Sequence, residues 1–215
     1  ARPKTVPPVG RRPARRWQVW LAATVILVLA AALAARPAYR AVELFRARSL
    51  SSAAEGCLKL GKYDEGMQKA QAAYRLRADD PQTLRVVARL HAAQAHREAL
   101  TYWQNLLSTG NATATDRRDL ADFAIQRRLF DTANEQVDWL MAHDAETADS
   151  RRVAAELAYH KGDMEKAEDL ARKAVAKDAS SRAGQLVLAT VLLRSPKSGA
   201  PAEAQNAFDV SQALS

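Results

Sequence analysis

Four histidines, His91, His96, His143 and His160, and a single cysteine, Cys57, are the residues to weigh as metal ligands or nucleophiles. A helical zinc pair needs two ligands three or four positions apart on one face. His91 and His96 are five apart and straddle an expected turn, so they do not present one. Cys57 stands in an apolar helical run and reads as a small core side chain rather than a nucleophile. Being alone, it excludes an intramolecular disulfide and a multi-cysteine metal site. No nucleophile elbow, Walker loop or glycine-rich dinucleotide loop occurs. Asn111-Ala112-Thr113 matches a glycosylation sequon but reads as a loop between helices. Taken together, the residues predict no catalytic site, no metal and no cofactor, and no small-molecule substrate is expected.

The elements that would position any site are helical. Of 215 residues 48% are hydrophobic, alanine is conspicuous, and alternating Val/Ile/Thr stretches are hard to find. An all-α chain is expected. Its net charge of +8 raises nucleic acid as a partner, but the charge is badly placed for that. Residues 1–16 carry Arg2, Lys4, Arg11, Arg12, Arg15 and Arg16 with no acid, which leaves only +2 for the rest. The basicity belongs to a Pro-rich leader expected to be disordered, and no nucleic-acid domain is predicted.

Trp17–Ala35 reads WQVWLAATVILVLAAALAA, interrupted only by Gln18 and Thr24. As a helix it spans about 28 Å, near the hydrocarbon thickness of a bilayer. Trp17 and Trp20 suit the interface beside the arginines. Two readings stand here. Ala32-Leu33-Ala34 offers a signal-peptidase site, but the apolar run exceeds the usual core of about 7–15 residues, which favours an uncleaved anchor. Positive residues are denser before the span than after it, although Arg36, Arg40, Arg46 and Arg48 follow closely. The expectation is a single-pass protein of a bacterial inner membrane, N-terminus cytoplasmic and the remainder periplasmic.

Beyond a connecting helix over 36–49, one unit recurs. His160–Asp178 holds two amphipathic runs about a Gly162-Asp163 turn, and small residues sit where the runs must meet. Gly66, Ala99, Ala133 and Ala167 fill one slot at intervals of 33, 34 and 34. Ala54, Val87, Ala121, Ala155 and Ala189 fill a second, and Ala70, Trp103, Val137 and Ala171 lie four beyond the first. Such a period marks a helical repeat. The paired runs are Leu50–Leu60 with Tyr63–Arg77, Gln82–Gln94 with Arg97–Ser108, Thr115–Arg127 with Asp131–His143, and Ser150–His160 with Met164–Lys177. A fifth, Arg182–Arg194 with Ala202–Leu214, is interrupted by Ser195–Pro201.

The turn patterns Gly61-Lys62-Tyr63-Asp64-Glu65-Gly66 and Gly162-Asp163-Met164-Glu165-Lys166-Ala167, with the phased small residues, resemble the tetratricopeptide repeat family from about residue 47 to 215. The copies are degenerate, with the closing proline displaced to Pro81 and absent later. The resemblance implies a right-handed α-solenoid of four to five repeats over 50–215, following the transmembrane helix at 17–35. It also implies a concave groove lined by the first helix of each repeat, with Glu55, Arg118, Asp122, Arg152, Glu156 and Tyr159 facing it. Family members that clamp a chaperone's C-terminal carboxylate use Lys and Asn where this chain has Ser51 and Glu55, which argues against that ligand.

The function expected is therefore a non-enzymatic scaffold or assembly factor that holds proteins of a membrane or envelope complex and meets the lipid bilayer through Trp17–Ala35. Two alternatives are an accessory structural subunit contacting its complex through the span, and the docking region of a larger membrane enzyme. The apolar residues of Ala202–Leu214, with no polar cap after them, are read as a sign of a longer natural chain.

Overall fold

The computed structural model describes residues 14–195 and 199–214, with some side chains of the first helix left aside. Ten helices follow one another among these residues, with no strand. They are α1 (Ala14–Lys59), α2 (Tyr63–Leu76), α3 (Pro81–Ala93), α4 (Ala99–Ser108), α5 (Ala114–Gln126), α6 (Phe130–His143), α7 (Ala148–Lys161), α8 (Met164–Lys177), α9 (Arg182–Leu193) and α10 (Ala200–Ala213). The five expected hairpins are all present, their ends within three residues except at the first. There the connecting helix and the first repeat helix are continuous with the helix carrying Trp17–Ala35, and α1 runs through position 37 without a break. The leader expected over 1–16 lies outside the described residues as far as 13, and α1 begins at Ala14. The interruption at 195–201 is likewise outside them at 196–198.

Small residues set the pairing. Ala54, Val87, Ala121, Ala155 and Ala189 are buried, as are Ala99, Ala133 and Ala167 opposite them. At Gly66 the approach is closest: a Cβ there would stand 3.0 Å from Leu90 Cδ2 and 3.2 Å from Cys57 Cβ. The turns inside the first four hairpins close the same way. Gly61, Ala95, Arg128 and Gly162 all take positive φ. The next residue's N–H reaches back five positions, from Lys62, His96, Leu129 and Asp163 to the carbonyls of Cys57, His91, Ala124 and Ala158. This is the Schellman closure, in which a left-handed residue satisfies carbonyls the helix end would leave bare.

The later odd helices begin on side-chain caps. Asp80, Thr113, Thr147 and Ser181 each accept the N–H three residues on. The backbones of successive odd helices also approach closely, α1 to α3, α3 to α5, α5 to α7 and α7 to α9, whereas successive even helices stand further apart and meet through long side chains, as Tyr74 with Tyr102 and Arg172 with Glu203. A stack closer-spaced along one layer curves towards it, so the odd helices line the concave side.

Among the described residues no helix is long and apolar enough to cross a membrane. Within Trp17–Ala35 the side chains at 18, 19, 28 and 31–35 lie outside the described set. Those that are described, including Trp20, Ile26 and Leu27, are exposed.

Candidate functional site: a charged ladder along the concave face

Because the odd helices run side by side, long side chains on their concave flanks meet across the gaps between them. Arg48 of α1 reaches Asp80 at 3.1 Å, the residue that caps α3. Arg85 of α3 grips Asp116 of α5 with both nitrogens, at 2.6 and 2.7 Å. Arg89, one turn on, contacts Asp119 at 2.7 Å and lies 3.6 Å from both Glu55 and Asp116. Arg118 of α5 pairs with Asp149 at 3.0 Å. Arg152 of α7 pairs with Asp122 at 2.6 Å and with Glu156 at 3.2 Å. Seven carboxylates (Glu55, Asp80, Asp116, Asp119, Asp122, Asp149, Glu156) thus meet five guanidiniums (Arg48, Arg85, Arg89, Arg118, Arg152), an acidic excess of two.

The rungs differ in their electrostatics. Asp116 is buried, and burial alone would raise its pKa. The bidentate Arg85 and the N–H and hydroxyl of Thr113 outweigh that, so its carboxyl titrates below the ordinary range. Asp119 and Glu156 go the other way. Burial lifts the Asp119 carboxyl further than Arg89 lowers it, with Asp122 and Asp116 adding to the rise. Burial also lifts Glu156, Asp122 adds to it, and Arg152 only partly opposes. Arg152 is penalised most by burial, yet Asp122 and Glu156 more than offset that and hold its proton more firmly.

Openings lie along this face, two of them beside the ladder's central and last rungs. A groove of about 510 Å³ is lined by Arg89, Ala92, Ala93, Trp103, Asp119, Asp122, Phe123 and Gln126. A smaller recess of about 80 Å³ lies between α7 and α9, among Glu156, Tyr159, His160, Val187, Thr190 and Val191. The guanidinium of Arg194 sits 5.2 Å above the Tyr159 ring there.

The six residues expected on the groove all lie on odd helices. Glu55, Asp122, Arg152 and Glu156 belong to the ladder, Arg118 to its outer rung, and Tyr159 to the smaller recess. The other ladder residues Arg85, Arg89, Asp116, Asp119 and Asp149 are not among those that repeat phasing picks out. The signal for them is present as opposite charges 30 or 31 positions apart: Arg85 with Asp116, Arg89 with Asp119, Arg118 with Asp149, Asp122 with Arg152. Ser51 is buried and hydrogen-bonded to Thr83 at 3.1 Å.

The residues considered first for chemistry are placed as packing groups. His91 stacks on Tyr102 with centroids 5.0 Å apart and lies 5.5 Å from the His96 ring. Burial and the neighbouring His96 depress its pKa. Cys57 is buried and accepts a hydrogen bond from Lys69 at 3.3 Å. Among the described residues no group of three or more His, Cys, Asp or Glu could hold a metal ion.

No protein-family model and no curated protein sequence matches the chain. Solved structures do. TTC0263, a tetratricopeptide protein of Thermus thermophilus, is similar over 79% of this chain and 91% of its own, at 15% identity and TM-score 0.66. PilF of Pseudomonas aeruginosa is similar over 80% and 78%, at 12% identity and TM-score 0.66. YrrB, described as a tetratricopeptide protein with an unusual peptide-binding site, is similar over 77% and 84%, at 9% identity and TM-score 0.54. At such identities the likeness is one of fold.

Proposed function

We propose that this chain, which has the tetratricopeptide-repeat fold, is a non-enzymatic scaffold that holds partner proteins in the groove along its odd helices. The observation that carries this reading is the open concave face itself. Its charged side chains are held in fixed positions by cross-helix pairing, so little conformational entropy remains to be lost when a partner binds. Solenoids present extended concave surfaces of this kind to their ligands. The peptide-binding site named for YrrB supports the same reading.

The scaffold is held, on this proposal, at a bacterial inner membrane by Trp17–Ala35, with the N-terminus cytoplasmic and the repeats periplasmic. The length and apolar character of that run support an anchor, as does the exposure of its described large side chains. Its partners are then proteins of a membrane or envelope complex.

Photo-crosslinking tests the scaffold reading. A crosslinker at Gln126 or Thr190, both exposed on the groove side, should capture proteins in living cells that one at Lys173 of α8 does not. Capture at Lys173 but not at the groove positions would overturn it. Protease protection on oriented vesicles tests the topology: digestion of the repeats from the cytoplasmic side would reverse it.

A further inference from the structure

The 510 Å³ groove between α3 and α5 contains two observations that point to one kind of ligand. The first is charge. Asp119 and Asp122 sit three positions apart on α5, and both line the groove with only Arg89 beside them. That arginine is shared among Asp119, Glu55 and Asp116. The cation serving Asp122 comes from α7, outside the groove's lining, and is itself shared with Glu156. Burial lifts the Asp119 carboxyl above its ordinary range, as expected where compensation is incomplete. The second observation is Trp103. Its side chain lines the groove, is 1% exposed, and its indole Nε1 has no hydrogen-bond partner. A buried donor without an acceptor costs free energy that an incoming acceptor would recover.

We infer that this groove receives a lysine or arginine side chain of an extended partner segment between Asp119 and Asp122, and that a carbonyl of the same segment accepts the Trp103 indole N–H. The occupant is a basic peptide; an acidic segment would bring its carboxylates against two others. The inference rests on the scaffold reading and names the chemistry of the partner.

The test uses the full chain in a neutral detergent and two fluorescein-labelled nonapeptides, (Ala-Arg-Gly)3 and (Ala-Ser-Gly)3, read by fluorescence anisotropy. The arginine peptide should bind the more tightly, and its affinity should fall as NaCl rises. Asp119→Asn combined with Asp122→Asn should weaken it about tenfold or more. That variant keeps its ladder, because Arg89 retains Glu55 and Asp116 and Arg152 retains Glu156. Trp103→Phe keeps an aromatic ring in the core, removes the N–H and should weaken binding several-fold. Asp138→Asn, at an exposed position of α6 outside the groove's lining, should leave it unchanged. Equal binding of the two peptides, an unaffected double variant, or an equal loss in Asp138→Asn would overturn the inference. If the arginine peptide fails to bind while the Gln126 crosslinker still captures protein, the inference falls and the scaffold stands. If the peptide binds as described and Gln126 captures nothing, the scaffold reading falls and the site stands.

Discussion

Inside each helix pair the contact is made by absence, because Ala54, Ala99, Ala133, Ala155 and Ala167 present a methyl group and Gly66 presents nothing. Between successive odd helices from α1 to α7 contact is also made by reach, with arginines crossing the gap to carboxylates. A seam of alanines fixes the distance between two axes with little tolerance, since close-packed interiors leave no space for added atoms. Paired charges at a half-exposed surface are worth less in energy. They can also exchange one partner for another. The molecule thus has one seam suited to setting its shape and another suited to answering a ligand.

The division is not complete, and Asp116 marks the exception. It belongs to the ladder by partner but to the core by burial, at 1% side-chain exposure. It also closes the capping box that starts α5. Asp116→Ala should remove the box and strand the Arg85 guanidinium, at a cost of about 3 kcal/mol. Its folded pKa lies below the ordinary 3.8, so its contribution is fully present above that pH and is lost as pH falls through the folded value. Urea denaturation at pH 7 and at low pH checks both parts. A small penalty at pH 7, or one that does not shrink with acid, would return Asp116 to the surface class.

The alanine seam is broken by adding volume. Ala167→Leu or Ala133→Leu should force the paired helices apart and cost about 1–3 kcal/mol. Midpoints equal to wild type would mean the seam has slack. Relief within the same hairpins is expected at Arg128, whose φ of 57° is strained for a side chain bearing a Cβ. Arg128→Gly should stabilise by about 0.5–1 kcal/mol, the gain in backbone conformation exceeding glycine's greater entropy loss. A fall in the thermal midpoint would show that the arginine side chain itself contributes.

These two seams are unequally legible in the sequence. The alanine seam repeats residue type at a period of 33 or 34, so Gly66, Ala99, Ala133 and Ala167 alone reveal where helices meet. The left-handed turns at Gly61 and Gly162 carry a glycine that advertises them, whereas Ala95 and Arg128 adopt the same conformation because the flanking helices require it. The ladder repeats complementarity, not identity. An arginine on α3 answers an aspartate on α5, while on α7 an arginine answers an aspartate on α5 before it. Phasing by residue type therefore finds Asp122, Arg152 and Glu156 but not Arg85, Arg89 or Asp119. The continuity of α1 is hidden for another reason: Pro37 suggests a boundary, and the helix passes through that position all the same.

The smallest expected effect is also the most discriminating. Glu156 shares Arg152 with Asp122, and burial together with the Asp122 charge lifts its pKa above the ordinary 4.5. In the unfolded chain Glu156 ionises near that value, whereas in the folded chain it ionises higher. Between the two the unfolded state binds fewer protons, so this group makes stability fall as pH rises through the window. Glu156→Gln removes that decline and leaves Arg152 paired to Asp122 at 2.6 Å. The variant should therefore match wild type below the window and be more stable above it by about 0–1 kcal/mol. Urea midpoints taken in steps from pH 4 to 7 would show the two curves separating. A variant that loses about 1 kcal/mol or more at pH 7 would place Glu156 with Asp116, as a rung the fold depends on rather than a carboxylate held at a cost on the face that meets partners.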